Sequence, residues 1–423
     1  MKKVLIITYY WPPSGGAGVQ RWLKFAKYLP EFGWQPVILT VDPKYASYPQ
    51  LDNSLSREIH PDCMVFTTKS FELYNLYKVF SGRKEVPYGG FANESEESFL
   101  QKVSKFLRGN FLLPDPRKGW NKYALKKAVE LICQYNIETV ITTSPPHSTQ
   151  LIGLALKEKL KIRWISDLRD PWTDIYYYDH FRHTAIARKI DLNYERSVLE
   201  NADIIINVST DVKRIFSGKT PMAVAEKTMI IPNGFDEEDF PGKIFSQEQK
   251  KIITYTGTIS ESYDVSGLLD AIQKLDARAR EKLVVRFVGK VPLTIVEKFS
   301  VAGISTDLVG YVDHARSIEY LYRSDLLLMI VPRVKNNKGI ITGKFFEYLA
   351  SGKPVLAIGP VDGDLAELIG QTECGKLFEY GDSEGMGQFI ADQLDNPSFG
   401  GKRDKIESFS RRHLTGRIAA LLK

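Results

Sequence analysis

The sequence predicts an α/β protein built from two doubly wound domains, and three observations lead there. The chain has 423 residues, more than one hydrophobic core usually supports, so two domains of about 200 residues are expected. Short β-branched and apolar runs alternate with helical patterns, as parallel strands joined by crossover helices require. That alternation ends near residue 238 and restarts at about 250, across a stretch rich in Pro, Gly and charge that reads as a linker.

Composition narrows the class. With 43% apolar and 26% charged residues the chain is an ordinary globular protein. Cys63, Cys133 and Cys374 are scattered and odd in number and lack metal-type spacing, which points to a reducing compartment and no structural zinc. Met1-Lys-Lys-Val-Leu-Ile-Ile-Thr8 has the basic start of a leader, but its apolar run stops at Trp11-Pro12-Pro13, so a first buried strand explains it better. No uncharged run approaches the ~20 residues of a membrane span. The net charge of +6 is modest and becomes useful only where it is concentrated.

In the first domain, Val4–Thr8 leads through Gly15, Gly16 and Gly18 into a helical pattern with Val19, Trp22, Phe25, Ala26 and Leu29 on one face. The third glycine of a dinucleotide fingerprint would fall at Arg21, which makes a nicotinamide site a weak reading. Gly15 and Gly16 suit either close backbone approach to a ligand or a tight turn. Residues 34–42 give a second strand.

From 45 to 119 the pattern loosens into an aromatic-rich insertion with short helices, carrying Phe71, Tyr74, Tyr77, Phe80, Phe91, Phe99, Phe106 and Phe111. Between Phe99 and Lys127, Lys102, Lys105, Arg108, Arg117, Lys118, Lys122, Lys126 and Lys127 face Asp115 alone. Aromatics among cations suit an anionic lipid surface. A single-stranded nucleic acid groove competes but lacks any accompanying signature, and a solvated basic face is the plain alternative.

Ile137–Thr143 is a third strand, and it runs into Ser144-Pro-Pro-His147 before a helix. His147 therefore falls on the carboxyl edge of the sheet, where doubly wound folds bind ligands. Arg163–Ser166 is the next strand, followed by Asp167-Leu-Arg-Asp-Pro-Trp172-Thr-Asp174. Its carboxylates and indole can orient hydroxyls and pack on a sugar ring, or can form an internally paired loop network. A long helix from about 182 to 201 and a strand at 203–208 complete this half.

The second domain repeats the alternation: strand 252–256 with Gly257 and Thr258, helix 265–275, strand 283–288, a helix and strand, Gly310-Tyr-Val312, a helix, and strand 326–330. The next segment carries the most information. Thr342 and Gly343 suit a helix start, Phe345, Phe346, Leu349 and Ala350 follow at helical spacing, Gly352 suits a left-handed stop, and Val355–Ile358 is a buried strand. A glycine-containing loop feeding a helix offers unpaired N–H groups and a positive dipole end to a phosphate. Lys344 in the first turn is unfavourable there unless an anion is near, and Glu347 on the same face can accept from a diol such as a ribose. A solvated Lys–Glu pair is the alternative. Residues 409–422 form one more amphipathic helix.

Several motifs together carry a resemblance: Glu347-Tyr-Leu-Ala-Ser-Gly-Lys-Pro-Val355, Thr143-Ser-Pro-Pro-His147 with Asp167–Trp172, Leu113-Pro-Asp-Pro-Arg-Lys-Gly-Trp120, and Met229-Ile-Ile-Pro-Asn-Gly-Phe-Asp236. In them the chain resembles the retaining family-4 glycosyltransferases of the GT-B fold, over nearly all its length outside residues 45–110. It departs at Gly339, preceded by Lys338, where the family has a first glutamate, and in the absence of a cation over Ser260–Asp264.

The resemblance implies two Rossmann-like domains facing a central cleft: an acceptor domain at 1–238 and a nucleotide-sugar domain at 250–405, with a C-terminal helix at 406–423 crossing back to the first. It implies sugar transfer from a nucleotide diphosphate sugar to a glycan or lipid-linked acceptor, with retention and without metal or cofactor, in cell-surface polysaccharide synthesis. His147, Lys344 and Asp170 would be catalytic. Gly16, Gly257, Thr258, Val312, Thr342, Gly343, Lys344 and Glu347 would hold the donor, and Asp167, Arg169 and Trp172 the acceptor. A catalytically weakened nucleotide-binding partner of an envelope assembly and a nucleotide-sugar epimerase are the rival functions. The expected location is cytoplasmic, peripheral on the inner face of a membrane, with an anionic membrane surface as a partner and no nucleic acid.

Overall fold

The structure, a computed structural model, describes residues 1–71, 99–242, 248–395 and 401–423. The chain divides into two compact units, Met1–Pro232 with Leu414–Lys423, and Asn233–His413.

The first unit is built on a parallel sheet of strands β1 (Lys2–Ile7), β2 (Trp34–Val41), β3 (Met64–Thr68), β4 (Thr139–Ser144), β5 (Arg163–Leu168), β6 (Ile204–Asn207) and β7 (Thr228–Ile230). Their order is β3-β2-β1-β4-β5-β6-β7. Helices cover both faces, so alternate residues of one strand serve different cores: Leu5 and Ile7 pack on one side, Val4 and Ile6 on the other. The second unit repeats the plan with β8 (Lys251–Thr256), β9 (Leu283–Val288), β10 (Thr306–Leu308), β11 (Leu326–Ile330), β12 (Val355–Ile358) and β13 (Gly375–Phe378). Here the order is β10-β9-β8-β11-β12-β13. Strand order reverses between β1 and β4 and between β8 and β11, and a doubly wound sheet opens a ligand crevice above such a point.

Two expectations change. The stretch read as an insertion contains β3, an edge strand whose Val65 and Thr67 are exposed; a short strand with one wet face lacks the continuous apolar run of its neighbours. Tyr74, Tyr77, Phe80 and Phe91 lie outside the described residues. The eight cations do not share one surface either. Lys105 and Arg117 are buried, Lys118 lies over the Tyr194 ring, and Lys122, Lys126 and Lys127 belong to a separate helix, Asn121–Tyr135.

The helix Arg411–Leu421 supplies Leu414 and Ile418, joined by Leu422, to the core that holds Val4, Ile6 and Trp22. In the second unit the outgoing and returning chains run side by side, the Phe235 N–H donating to the Phe409 carbonyl at 3.1 Å and Arg411 N–H to Phe235 at 2.6 Å.

A buried cation ties the first unit together. Arg21, on the helix Ala17–Tyr28, meets Asp167 of β5 at 2.9 Å and donates to the carbonyls of Ile231 and Pro232, each at 2.9 Å. The Asp167 carboxylate also accepts from Trp22 Nε1 at 2.7 Å and Thr143 Oγ1 at 2.8 Å. With both side chains sealed from water, removing one partner strands the other charge, at a cost of about 3–5 kcal/mol. Arg21→Met is expected to lower the thermal transition of the first unit by about 10 °C. The double variant Arg21→Met/Asp167→Leu should recover part of that loss, as differential scanning calorimetry would show.

Candidate functional site

Residues predicted to bind the donor assemble at the switch point of the second sheet. The helix Gly343–Ser351 begins there without a side-chain cap or an acid in its first turn: Thr342 turns its hydroxyl toward Met329 Sδ, at 3.8 Å. Its first amides therefore keep their donor capacity. Gly343 leaves the approach open. Lys344 does not reach for solvent. Its Nζ donates to the Tyr255 hydroxyl at 2.7 Å and sits 3.9 Å from that ring's centroid, and the hydroxyl donates onward to the Thr258 carbonyl at 3.0 Å. Gly257 completes the floor at φ 95°, a conformation that favours glycine, and a Cβ there would lie 3.2 Å from Lys344 Nζ.

This setting is costly for a cation. Burial pushes the Lys344 ammonium down to about 7, against a smaller opposing pull from Glu347. Its nearest partner, the Tyr255 phenol, is held neutral because burial raises it well above its usual range. A diphosphate beside Nζ would restore the charge.

One helical turn on, the Glu347 carboxylate meets His314 Nε2 at 3.0 Å, and His314 Nδ1 lies 3.9 Å from Asp239. His314 starts the helix His314–Tyr322, two residues after the half-buried Val312. Glu347 is thus an oriented acceptor with a histidine behind it. Neither Tyr255 nor His314 was singled out from sequence. Tyr255 was hidden inside an apolar strand, and His314 had no motif around it.

In the first unit the loops after β1, β4 and β5 meet at the other switch point. Gly16, at φ 87°, precedes the helix Ala17–Tyr28. His147 precedes the helix Ser148–Lys159, and its ring stacks on Trp172 with centroids 4.6 Å apart. His147 Nδ1 is sealed from water and has no hydrogen-bond partner among the described residues. Burial, reinforced by the Arg169 and Lys219 cations, pushes His147 down to about 3, so the imidazole is neutral at physiological pH. The Asp170 carboxyl is raised by burial, offset in part by Arg169.

The three residues expected to contact an acceptor are engaged by the protein's own groups. Asp167 is spent on Arg21, Trp22 and Thr143. Arg169 donates to the carbonyls of Ser144 at 2.7 Å and Gly18 at 3.0 Å, clamping the loops after β4 and β1. Trp172 is buried, with its N–H on Asp191 at 2.9 Å and a face on His147, so no sugar can stack there. The internally paired network weighed from sequence is what these residues form. They position His147 and Asp170.

Comparison with known proteins fits this geometry. Solved structures resemble the whole chain. Sucrose-phosphate synthase from Thermosynechococcus elongatus has a TM-score of 0.63 at 16% identity, covering 100% of this chain and 98% of that one. HepE from Anabaena, in complex with UDP and glucose, has 0.62 at 15%, covering 100% and 99%. TarM has 0.63 at 13%, covering 100% and 99%. The fold is GT-B. Residues 250–396 match the family model described as glycosyl transferases group 1, and the enzyme class is a glycosyltransferase. No curated protein matches the chain in sequence.

The half-buried Lys344 sets a pH dependence. Its folded value lies below its unfolded one, so the unfolded chain holds the extra proton between about 7 and 10.5, and this group adds stability as pH rises through that window. An anion binds the protonated form, so affinity for a nucleotide diphosphate such as UDP should fall up to about tenfold per pH unit above 7. Calorimetry in buffers of different ionisation enthalpy should detect proton uptake on binding. Tyr255→Phe, which removes the acceptor of that ammonium, should shift the fall to lower pH by about one unit.

Proposed function

We propose that this protein transfers a sugar from a nucleotide diphosphate sugar to a glycan or lipid-linked acceptor, with retention of anomeric configuration and without a metal, in the synthesis of a cell-surface polysaccharide. The observation that carries this reading is the half-buried Lys344 at an uncapped helix start over Gly257, its ammonium hydrogen-bonded to a neutral phenol. Solved HepE complexes hold UDP and UDP-glucose, which supports a nucleotide-sugar donor.

Departure of a nucleoside diphosphate builds negative charge on the leaving oxygen. Lys344 and the first-turn amides, including Gly343 N–H, offer preorganised positive charge to it in a site poor in water. Lys344, protonated once the diphosphate is bound, meets more negative charge as the leaving oxygen develops it, so its interaction strengthens toward the transition state. Glu347, oriented by His314, accepts from a ribose hydroxyl. In the first unit the neutral His147 hydrogen-bonds a sugar hydroxyl through an otherwise unsatisfied ring, and the Asp170 carboxylate takes the proton of the acceptor hydroxyl.

The catalytically weakened partner is favoured by one feature, Gly339, which brings no carboxylate to the loop where Lys338 pairs with Asp362. A thermal-shift screen of nucleotide sugars identifies the donor, because a ligand of the folded state raises its apparent stability. Slow donor hydrolysis is then expected, together with transfer that keeps the anomeric configuration. Lys344→Ala should lower turnover by roughly 10²–10³-fold and donor affinity by less. Full activity in that variant would sink the mechanism, and tight binding with neither hydrolysis nor transfer would favour the partner role. His147→Gln should lower the rate, while the wild-type pH profile should show no limb from this histidine above pH 5, since it titrates at about 3.

A further inference from the structure

The helix Phe99–Phe111 is built inside out. Its inward side carries Lys105, only 3% exposed, and Gly109, where a Cβ would sit 2.5 Å from the Phe181 carbonyl oxygen. Its outward side carries Val103, Phe106, Leu107 and Phe111, the last 73% exposed, at the spacing of one helical face. An amphipathic surface helix normally does the reverse, and four large apolar residues on one exposed face mark a docking surface.

A second element continues it. Asn110 accepts from the Thr184 N–H at 2.7 Å and donates to the Arg182 carbonyl at 3.2 Å, seating this helix on the start of the helix Ala185–Asn201. There Ile186, 74% exposed, and Ile190 stand one turn apart. Lys102 and Lys189 are exposed on the same two helices and Arg182 on the turn before the second, and the helix Phe99–Phe111 contains no acidic residue.

We propose that this face docks on an anionic bilayer, with the apolar side chains entering the acyl boundary and the cations lying among the headgroups. Charge decides the occupant. A second copy on the same face would set these cations against their own kind, whereas a negative lipid surface complements them. The surface stands on the two helices alone. Its link to catalysis rests on the proposed transfer reaction: Arg108, inward on the same helix, lies 4.4 Å from the ring of Phe181, in the segment that follows the Asp170 loop. Docking would then hold the Asp170 loop near a lipid-linked acceptor.

The test is co-sedimentation of the full chain, without substrates, with vesicles of phosphatidylcholine alone and of an equal mixture with phosphatidylglycerol. Binding to the mixed vesicles is expected, with at least a tenfold loss in Phe106→Glu/Phe111→Glu. Lys189→Ala should cost about fivefold at low salt. Leu293→Glu, an exposed apolar position of the second unit, should bind as wild type. Three results would overturn the proposal: no binding at low salt, equal binding by the double Glu variant, or a concentration-dependent dimer that this variant abolishes. Lower thermal stability of the double variant without vesicles would also overturn it, because the face would then be covered by the chain itself. UDP affinity, measured in parallel, should be the same in wild type and variant, so a failed surface is told apart from a failed transferase.

Discussion

A charge taken out of water must find another charge or a strong set of dipoles, and each unit answers that demand differently at the carboxyl edge of its sheet. In the first, Arg21 finds a carboxylate and two carbonyls and is finished: nothing remains for a ligand to supply. In the second, Lys344 finds a neutral phenol and a ring face, and its proton is held weakly in consequence. The same constraint makes one cation part of the scaffold and leaves the other in need of an anion. The proposal that the second unit binds the donor rests on that contrast more than on any motif.

The first unit shows how a scaffold can prepare reactive groups without touching a substrate. Arg169 clamps two loops, Trp172 gives His147 a surface to lie on, and Asp191 holds the indole through its N–H. Asp191 itself is pushed up to about 6 by burial and still carries its charge at pH 7, so the neutrality of His147 comes from its own burial and from the Arg169 and Lys219 cations. His147 stays neutral for the same reason that it stays in place.

Much of the architecture was legible because both sheets are parallel and buried on both faces. Val4–Ile7, Val140–Thr143, Leu326–Ile330 and Val355–Ile358 are then continuous apolar runs that stand out in one dimension. β3 was lost because an edge strand alternates over too few residues. Lys344, Gly257 and Thr258 stand out in the sequence because each sits at a strand end or helix start, positions that local chemistry marks. Their meeting through Tyr255 was not legible, since a tyrosine inside an apolar strand carries no sign of what its hydroxyl will reach. The internal pairing of Asp167, Arg169 and Trp172 was hidden for a related reason. Side chains able to bind a sugar can also bind one another, and only the fold decides which. Gly109 and Lys105 gave the same difficulty in the Phe99–Phe111 helix: composition showed cations and aromatics together, but not that Lys105 turns inward while Lys102 stays exposed.

The core beneath β1 also bears on the order of assembly. Leu414, Ile418 and Leu422 fill it beside side chains made some 400 positions earlier, while Asn233–His413 closes on itself. During synthesis the later unit has everything it needs before the earlier one does. Until the last turns emerge from the ribosome, the first sheet waits with an apolar groove uncovered, a window in which chaperones and proteases have access to the half of the molecule that was made first.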